Sequence, residues 1–370
     1  MNFIPVNSPL LDGNEKKYLC ECIDSGWISS EGPFVRRFES EMAAYVGRKH
    51  GIAVSNGTAA LEAAVLALNL ESGSEVILPT FTIISCAQAV VKAGLTPVLV
   101  DCELDTWNMD VSQIEAKITK KTKAIMIVHI YGLPVDVDPV LRLADKYGLR
   151  IIEDAAEMHG QTYKGKQCGS FGDVSIFSFY PNKHITCGEG GMILTDDDDC
   201  AERCRGVRNL FFSTKRYVHE EIGSNFRMTN MQAALGCAQL EQIDRHLVRK
   251  REIGRKYYEG LKDIDNILLP LNQKEFSENI YWVFGIVLAK EYEMDSSQMM
   301  KLLAERGIGS RAFFYPMHMQ PVFQRMRLFI NESYPNSEYI SQYGFYVPSG
   351  LGIRDDQIEY VIETIRQLLS

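Results

Sequence analysis

One segment, FSFYPNKHITCGEGG at residues 177–191, gives the strongest indication of both the fold and the chemistry. An apolar run ends there, a turn presents a single lysine, Lys183, and a glycine-rich turn leads back into a second apolar run at residues 192–194. Apolar runs bounded by Gly, Pro and Asn are typical of buried strands. A lysine at the carboxyl end of such a strand points into a ligand site. A solvent-exposed lysine is the commoner alternative, but the glycine-rich context favours the first interpretation.

Similar short runs occur along the first half of the chain, and helical patterns lie between several of them. The runs cover residues 76–78, 97–100, 124–130, 151–152, 175–179 and 192–194, and the helical patterns cover residues 59–68, 84–93 and 139–147. Alternation of this kind predicts βα units and a largely parallel, buried sheet. Because ligands of such sheets bind at the carboxyl ends of the strands, we expect the functional site at that edge.

The chain is long enough for one large domain and a smaller one, since it has 370 residues. An extended N-terminal arm precedes a first helix at residues 14–23. Residues 231–261 have the pattern of a long helix or a pair of helices that leads into a second unit. Shorter strands and a terminal amphipathic helix follow. We therefore expect the arm and the large domain in residues 1–245 and a small C-terminal α/β domain in residues 246–370.

The composition excludes several classes of protein. The formal net charge is −9, and no cluster of Lys and Arg resembles a nucleic-acid footprint. No apolar run approaches the ~20 residues of a membrane span, and the N-terminus lacks the pattern of a signal peptide. The nine cysteines are odd in number and match no zinc spacing, so we expect no metal site. We expect a cytoplasmic protein that binds neither nucleic acid nor membrane.

A second motif, SNGTAAL at residues 55–61, places a glycine turn before a helix. The first N–H groups of a helix have no partner within the helix and carry the positive end of its dipole, so they form a ready phosphate site. Such turns also begin many helices for capping alone. From this motif by itself, both interpretations stay open.

A third motif, IIEDAAE at residues 151–157, places two carboxylates at the carboxyl end of a buried strand. A buried carboxylate is costly unless it meets a cation. Asp154 opposite a protonated pyridine nitrogen would satisfy this need, and the protonated ring would be a good electron sink. The alternative is that Asp154 or Glu153 caps the following helix.

A fourth motif, GSNFRMTNMQ at residues 223–232, precedes the helical pattern that begins near residue 231. Thr229 or Asn230 is a natural cap for that helix. Asn225 and Arg227 could donate hydrogen bonds to a phosphate, or they could only fix the turn.

In this order the motifs resemble those of a known family. Ser-Asn-Gly-Thr, Glu-Asp-Ala-Ala, the lysine segment with Gly-Glu-Gly-Gly, and Asn-x-Arg-Met are similar to motifs of the DegT/DnrJ/EryC1/StrS aminotransferases, over essentially the full length. The resemblance implies a fold-type-I aminotransferase whose large domain has a mostly parallel, seven-stranded sheet. It also implies pyridoxal 5′-phosphate (PLP) as the cofactor, and a nucleotide sugar and glutamate as substrates.

The resemblance implies a role for each matching residue around the cofactor ring. Lys183 would hold the cofactor as a Schiff base and move protons during the reaction. Asp154 would pair with the pyridine nitrogen, and Glu157 would lie near the ring hydroxyl, where many relatives have Gln. Ile83 occupies the position at which relatives often stack an aromatic residue on the ring, so stacking is weaker here.

The resemblance also implies how the cofactor phosphate is held. The backbone of Gly57 and Thr58 and the hydroxyl of Ser178 would bind it from within one chain. Asn225 would reach the phosphate from a neighbouring subunit. The active unit would therefore be a homodimer with shared active sites.

Further segments are similar to those of one subgroup, the GDP-perosamine synthases. They are SGWISS at residues 25–30, TKKTKAIM at 119–126, HIYG at 129–132 and YPMH at 315–318. The resemblance places Trp27, Tyr315, His318 and Arg311 at the substrate. Arg311 as a surface ion-pair partner and His318 as a packed core residue are the alternatives. Tyr315 stands where the subgroup often has His, which leaves the exact sugar open.

These resemblances favour transfer of an amino group from glutamate to the C4 ketone of a nucleotide-linked 4-keto-6-deoxy sugar, with GDP-4-keto-6-deoxy-mannose preferred. Three alternatives stay open. They are an aminotransferase for a UDP- or dTDP-linked keto sugar, a PLP-dependent sugar dehydratase, and a non-catalytic relative of the same fold. The dehydratases carry His at the lysine position, whereas this chain has Lys183.

Overall fold

The computed structural model describes residues 3–215 and 217–369. Its strands, in chain order, are β1 (His50–Val54), β2 (Glu75–Pro79), β3 (Thr96–Val100), β4 (Thr122–Val128), β5 (Arg150–Asp154), β6 (Thr162–Tyr163), β7 (Lys166–Gln167), β8 (Val174–Ser178), β9 (Gly191–Thr195), β10 (Ile267–Leu268), β11 (Gln273–Lys274), β12 (Ser277–Glu278), β13 (Phe284–Leu288), β14 (Arg311–Ala312) and β15 (Gly344–Val347).

The α-helices are α1 (Glu15–Ser25), α2 (Pro33–Val46), α3 (Gly57–Ala67), α4 (Ser85–Lys92), α5 (Ile114–Lys117), α6 (Val137–Tyr147), α7 (Asp198–Arg208), α8 (Asn230–Leu240), α9 (Ile243–Leu261), α10 (Ser296–Glu305), α11 (Pro321–Arg325), α12 (Pro335–Tyr343) and α13 (Asp355–Leu369). Short 3-10 helices cover Val111–Gln113, Lys290–Tyr292 and Met317–Met319.

A seven-stranded sheet forms the centre of the large unit, in the order β1-β9-β8-β5-β4-β2-β3. The neighbours from β8 to β3 pair in parallel, whereas β9 is antiparallel to both β8 and β1. The prediction of a mostly parallel, seven-stranded sheet is therefore confirmed. Strand β1 was not among the predicted runs, because His50 and Gly51 interrupt its apolar pattern.

Both faces of this sheet are buried, as expected for parallel strands covered by helices. Successive residues of a strand point to opposite faces. Ile52 and Val54 accordingly belong to one core, with Leu61 of α3, whereas Ala53 belongs to the other, with Phe38 of α2. This burial fixes the register, since a slip of one residue would exchange the two faces.

A four-stranded antiparallel sheet, in the order β10-β13-β15-β14, forms the centre of the second unit. Residues 231–261 form two helices rather than one, and α9 runs from the first unit into the second, where α13 packs against it. The N-terminal arm crosses between the units, because Ile4 exchanges backbone hydrogen bonds with Gly307 and Gly309. The boundary near residue 245 stays a prediction. No helix among the described residues is long and apolar enough to cross a membrane.

Candidate active site

A cavity of about 950 Å³ lies at the carboxyl ends of β1, β2, β4, β5 and β8. This is the edge at which parallel sheets bind ligands. Nine of the residues predicted to form the site line this cavity: Gly57, Thr58, Ile83, Asp154, Glu157, Ser178, Lys183, Asn225 and Arg311. They come from segments up to 254 positions apart in the chain, since the first is residue 57 and the last residue 311. The fold therefore brings the motifs together.

Lys183 lies in a turn that follows β8, and its N–H donates to the carbonyl of Tyr180 at 2.9 Å. Its side chain is 8% exposed, and its Nζ lies 3.8 Å from Oε1 of Glu157. Burial lowers the pKa of Lys183, while the carboxylates of Glu157 and Asp154 oppose that shift. A lowered pKa raises the fraction of free amine, which is the form that attacks a carbonyl carbon. The site thus contains an activated amine.

Asp154 ends β5 and is fully enclosed, with two hydrogen-bond donors around its carboxylate. The N–H of Ala156 donates to Oδ1 at 3.0 Å, and the thiol of Cys86 donates to Oδ2 at 3.2 Å. Burial raises the pKa of Asp154, and these two hydrogen bonds oppose the shift. No helix follows Asp154 directly, so it does not cap one. A buried carboxylate that borders an open cavity suits a cationic ligand group.

Glu157 is the second carboxylate of the cavity. Its Oε2 accepts a hydrogen bond from the N–H of Tyr131 at 2.7 Å. Burial raises the pKa of Glu157 to about 8, although the nearby Lys183 opposes the shift. Glu157 can therefore act as a proton donor near neutral pH, which suits a position beside a ring hydroxyl.

Gly57 and Ser178 form one end of the cavity. Asn56 caps α3 by accepting the N–H of Ala59 at 2.8 Å, which leaves the N–H groups of Gly57 and Thr58 without partners in the helix. A Cβ atom on Gly57 would lie 2.8 Å from Cβ of Ser178. Only glycine permits this close approach of the helix N-terminus to the serine. These donors fit a phosphate group.

Gly57→Ala is expected to lower the free energy of unfolding by about 1–3 kcal/mol, because the added methyl group must displace Ser178. Urea unfolding of the purified variant measures this. Gly13→Ala is the matched control, since an added Cβ there would meet its nearest atoms at 3.4 Å, an ordinary van der Waals distance, and should leave the stability nearly unchanged. Equal stability of Gly57→Ala and the wild type would show that the two segments are not in contact.

The walls of the cavity include residues predicted to bind the cofactor or the substrate. Ile83 is 43% exposed and lies in the loop between β2 and α4. Asn225 lines the cavity within one chain, so its role across a subunit interface stays a prediction. Arg311, in β14, lines the cavity from the side of the small unit and has no ion-pair partner among the described residues.

Three predicted substrate residues do not line this cavity. Trp27 and Tyr315 are 52% and 47% exposed on the surface. His318 is 3% exposed, with Nδ1 2.9 Å from the hydroxyl of Thr80 and Nε2 3.0 Å from Oε1 of Glu338. The structure therefore places His318 between Thr80 and Glu338, outside the lining of the cavity.

Sequence reasoning missed several residues of the site, above all Trp282, whose ring covers the Lys183 amine. It comes from the segment before β13, and no local pattern links it to residues 177–191.

His129, Glu153 and Cys168 form a compact buried group whose possible metal-ligand atoms lie within 4.8 Å of one another. The buried carboxylate of Glu153 is satisfied by hydrogen bonds without a metal ion. It accepts them from the ring of His129 and from the N–H groups of Gly169 and Phe171.

The arrangement fits PLP on chemical grounds. The cavity has anion-binding donors at Gly57, an enclosed carboxylate at Asp154 and a buried amine at Lys183. These groups match the phosphate, the ring nitrogen and the aldehyde of that cofactor.

Comparisons with known proteins agree with this site. Residues 9–366 match the DegT/DnrJ/EryC1/StrS aminotransferase family. The GDP-perosamine synthase of Vibrio cholerae is 42% identical over 99% of both chains, and that of Escherichia coli O157:H7 is 41% identical over 100% of both. The structure of DesI with its TDP-sugar product superimposes with a TM-score of 0.89, at 30% identity over 100% of this chain and 93% of that one. The predicted family, enzyme class and cofactor are confirmed: the chain belongs to the DegT/DnrJ/EryC1/StrS family of PLP-dependent sugar aminotransferases.

Proposed function

We propose that the protein transfers the amino group of glutamate to the C4 ketone of GDP-4-keto-6-deoxy-mannose and thereby forms GDP-perosamine. The observation that carries the reaction type is the buried amine of Lys183, which shares one cavity with the carboxylates of Asp154 and Glu157. The similarity to two GDP-perosamine synthases over nearly the whole chain supports the choice of sugar and nucleotide.

The residues divide the work between binding and proton transfer. When bound, PLP would supply an aldehyde carbon that can carry the amino group and a protonated ring that acts as the electron sink. Gly57, Thr58 and Ser178 hold the phosphate, and Asp154 keeps a proton at the ring nitrogen. Lys183 carries a proton to and from the reacting carbon, for which an amine with a lowered pKa is well suited.

The substrate must be bound by a few local donors, because the protein has a net charge of −9 and the sugar nucleotide carries two phosphates. Arg311 lines the cavity without an ion-pair partner among the described residues, so its guanidinium can bind an anionic oxygen there. Trp27 and Tyr315 are exposed, and we propose that they contact the substrate outside the cavity.

His318→Ala is expected to weaken use of the keto sugar about tenfold and to leave the glutamate half-reaction nearly unchanged. Loss of the imidazole removes its hydrogen bonds to Thr80 and Glu338, and an unpaired buried hydroxyl costs about 1–2 kcal/mol. The change loosens the segment that also carries Tyr315, which is proposed to bind the sugar and does not line the cofactor cavity. Stopped-flow spectra of the two half-reactions, recorded separately, measure both effects. Equal losses in the two half-reactions would instead assign His318 to the fold or to the cofactor.

The proposed active unit is a homodimer in which Asn225 contributes to the site of its partner. Lys183→Ala and Asn225→Ala subunits, each nearly inactive alone, are expected to regain up to about a quarter of wild-type activity when mixed, since half of the dimers are mixed and each has one intact site. Activity is measured after subunit exchange has been verified. If no mixture exceeds its parents, the sites are not shared.

The choice of sugar nucleotide is tested with a panel of 4-keto sugars linked to GDP, UDP and dTDP. We expect the GDP sugar to have the highest kcat/KM, with glutamate as the donor. A higher kcat/KM for a dTDP or UDP sugar would overturn the proposed substrate while leaving the reaction type intact. We also propose the cytoplasm as the location, for which the nine free cysteines are suited.

A further inference from the structure

The amine of Lys183 lies directly against an aromatic face. Its Nζ is 3.6 Å from the centroid of the Trp282 ring. Other contacts between a cation and a ring in the described part of the chain span 4.8–5.9 Å, so this one is distinctly closer. Trp282 is 4% exposed and lines the same cavity. The amine therefore contacts both the indole ring and Glu157, whose Oε1 lies 3.8 Å from Nζ.

The indole is also fixed to the backbone that carries the lysine. The Nε1–H of Trp282 donates to the carbonyl of Asn182 at 2.9 Å. Asn182 immediately precedes Lys183, so a single side chain contacts both the turn and the amine that the turn presents. Such a double contact limits the positions that the amine can adopt.

A buried lysine, Lys250, holds the backbone of Trp282. Nζ of Lys250, in α9, donates to the carbonyl of Trp282 at 2.9 Å and to the carbonyl of Ser349 at 2.6 Å. Lys250 is enclosed, and burial lowers its pKa to about 7. These hydrogen bonds fix the segment before β13 to the rest of the second unit. The position of the indole ring is therefore restrained.

We propose that Trp282 is a positioning residue that orients the Lys183 amine and favours its protonated form. The face of an indole ring attracts a cation, and the attraction is strongest when both groups are shielded from water. It therefore opposes the effect of burial, which disfavours the charged amine. An amine whose pKa stays within reach of neutral pH can both donate and accept a proton, as the transfer reaction requires.

Other titratable or charged groups also act on the Lys183 amine, and substitution of Trp282 leaves all of them in place. Glu157 and Asp154 favour the charged form of Lys183. Burial lowers the pKa values of His159 and His184, and the charge of Lys183 lowers both further. The remaining groups of this kind in the cavity wall are Glu62, Lys92, His129, Tyr180, Glu189, Arg311 and Tyr346.

The test measures the pKa of Lys183 in the full chain freed of PLP. The rate at which acetic anhydride modifies Lys183 is followed by mass spectrometry as a function of pH. The midpoint of this curve gives the pKa and does not depend on how easily the reagent enters. We expect Trp282→Leu to lower the midpoint by about one unit or more, because a loss of 1.36 kcal/mol shifts a pKa by one unit. Trp282→Phe keeps a weaker ring face and should shift it less.

Phe314→Leu is the matched control, since Phe314 is an aromatic residue in the wall of the same cavity but has no cation–ring contact with Lys183 in the described structure. Its midpoint should equal that of the wild type. Thermal unfolding shows whether each variant is folded. If Trp282→Leu does not fold, the midpoint of Trp282→Phe is compared with that of the wild type instead. An unchanged or raised midpoint in the folded Trp282 variants, or an equal fall in Phe314→Leu, would overturn the proposal. None of these outcomes depends on the identity of the sugar.

Discussion

Lys183→Ala is expected to lower the rate of amino transfer by at least about 10³-fold while the protein stays folded. The variant loses both the amine that binds the cofactor and the group that moves the proton, and general acid–base catalysis alone contributes about 10²–10⁴-fold. The melting temperature should stay the same or rise, because the buried amine of Lys183 is costly to enclose. Steady-state turnover and a thermal scan measure the two effects.

Lys183→Arg distinguishes the contribution of the positive charge of Lys183 from that of its reactive amine. The guanidinium keeps the positive charge beside Glu157, yet it neither forms a Schiff base nor gives up a proton near neutral pH. It should therefore be as inactive as alanine. Lys164→Ala is the matched control, because Lys164 pairs with Asp138 on the surface, and this variant should keep wild-type activity. Substantial turnover by Lys183→Ala without an added amine would contradict the role of this residue.

Asp154→Asn is expected to lower kcat by about 10²-fold or more, with PLP still bound. The amide has the size of the carboxylate and can still accept the N–H of Ala156, so the local structure should survive. It cannot hold a proton at the ring nitrogen, so the electron sink is weakened. A loss of this size corresponds to about 2.7 kcal/mol of transition-state stabilisation.

Absorption spectra show whether the Asp154→Asn variant has bound PLP, and single-turnover measurements isolate the chemical step. Asp138→Asn removes a carboxylate of the surface pair with Lys164, and it should behave like the wild type. Near-normal turnover of Asp154→Asn would mean that this carboxylate only fixes the turn through Ala156.

The parts of the site that could be predicted from the sequence are those that lie within a single motif. Asp154 and Lys183 lie shortly after apolar runs, and the rule that ligands bind at the carboxyl ends of parallel strands brings them together, whereas Gly57 was indicated by its turn before a helix. The small-unit side of the site could not be found in this way. Trp282 reaches Lys183 only because α9 and β13 position it, and a pairing across 99 positions leaves no local pattern.

His318 illustrates the same difference. Its segment resembles a substrate-facing loop, but the direction of a side chain depends on what packs around it. Thr80, 238 positions away, and Glu338 of α12 hold the imidazole away from the cavity. Strand β1 was missed for another reason, since His50 and Gly51 leave only three apolar residues in it, and pairing with β9 stabilises the strand.

The path of the N-terminal arm has a consequence for cutting the chain into pieces. Ile4 is bonded to Gly307 and Gly309 of the second unit, and the side chain of Asn7 donates to the carbonyl of Pro181, two residues before Lys183. A break within α9 would therefore leave the arm on one fragment and its backbone partners on the other. Each fragment would lack the hydrogen-bond partners that lie on the other fragment. We therefore expect the two fragments to associate into one complex rather than to fold as independent proteins. A circular permutant that begins at α9 would instead keep the arm and its partners in one chain, provided that the new junction lets Ile4 reach Ile308.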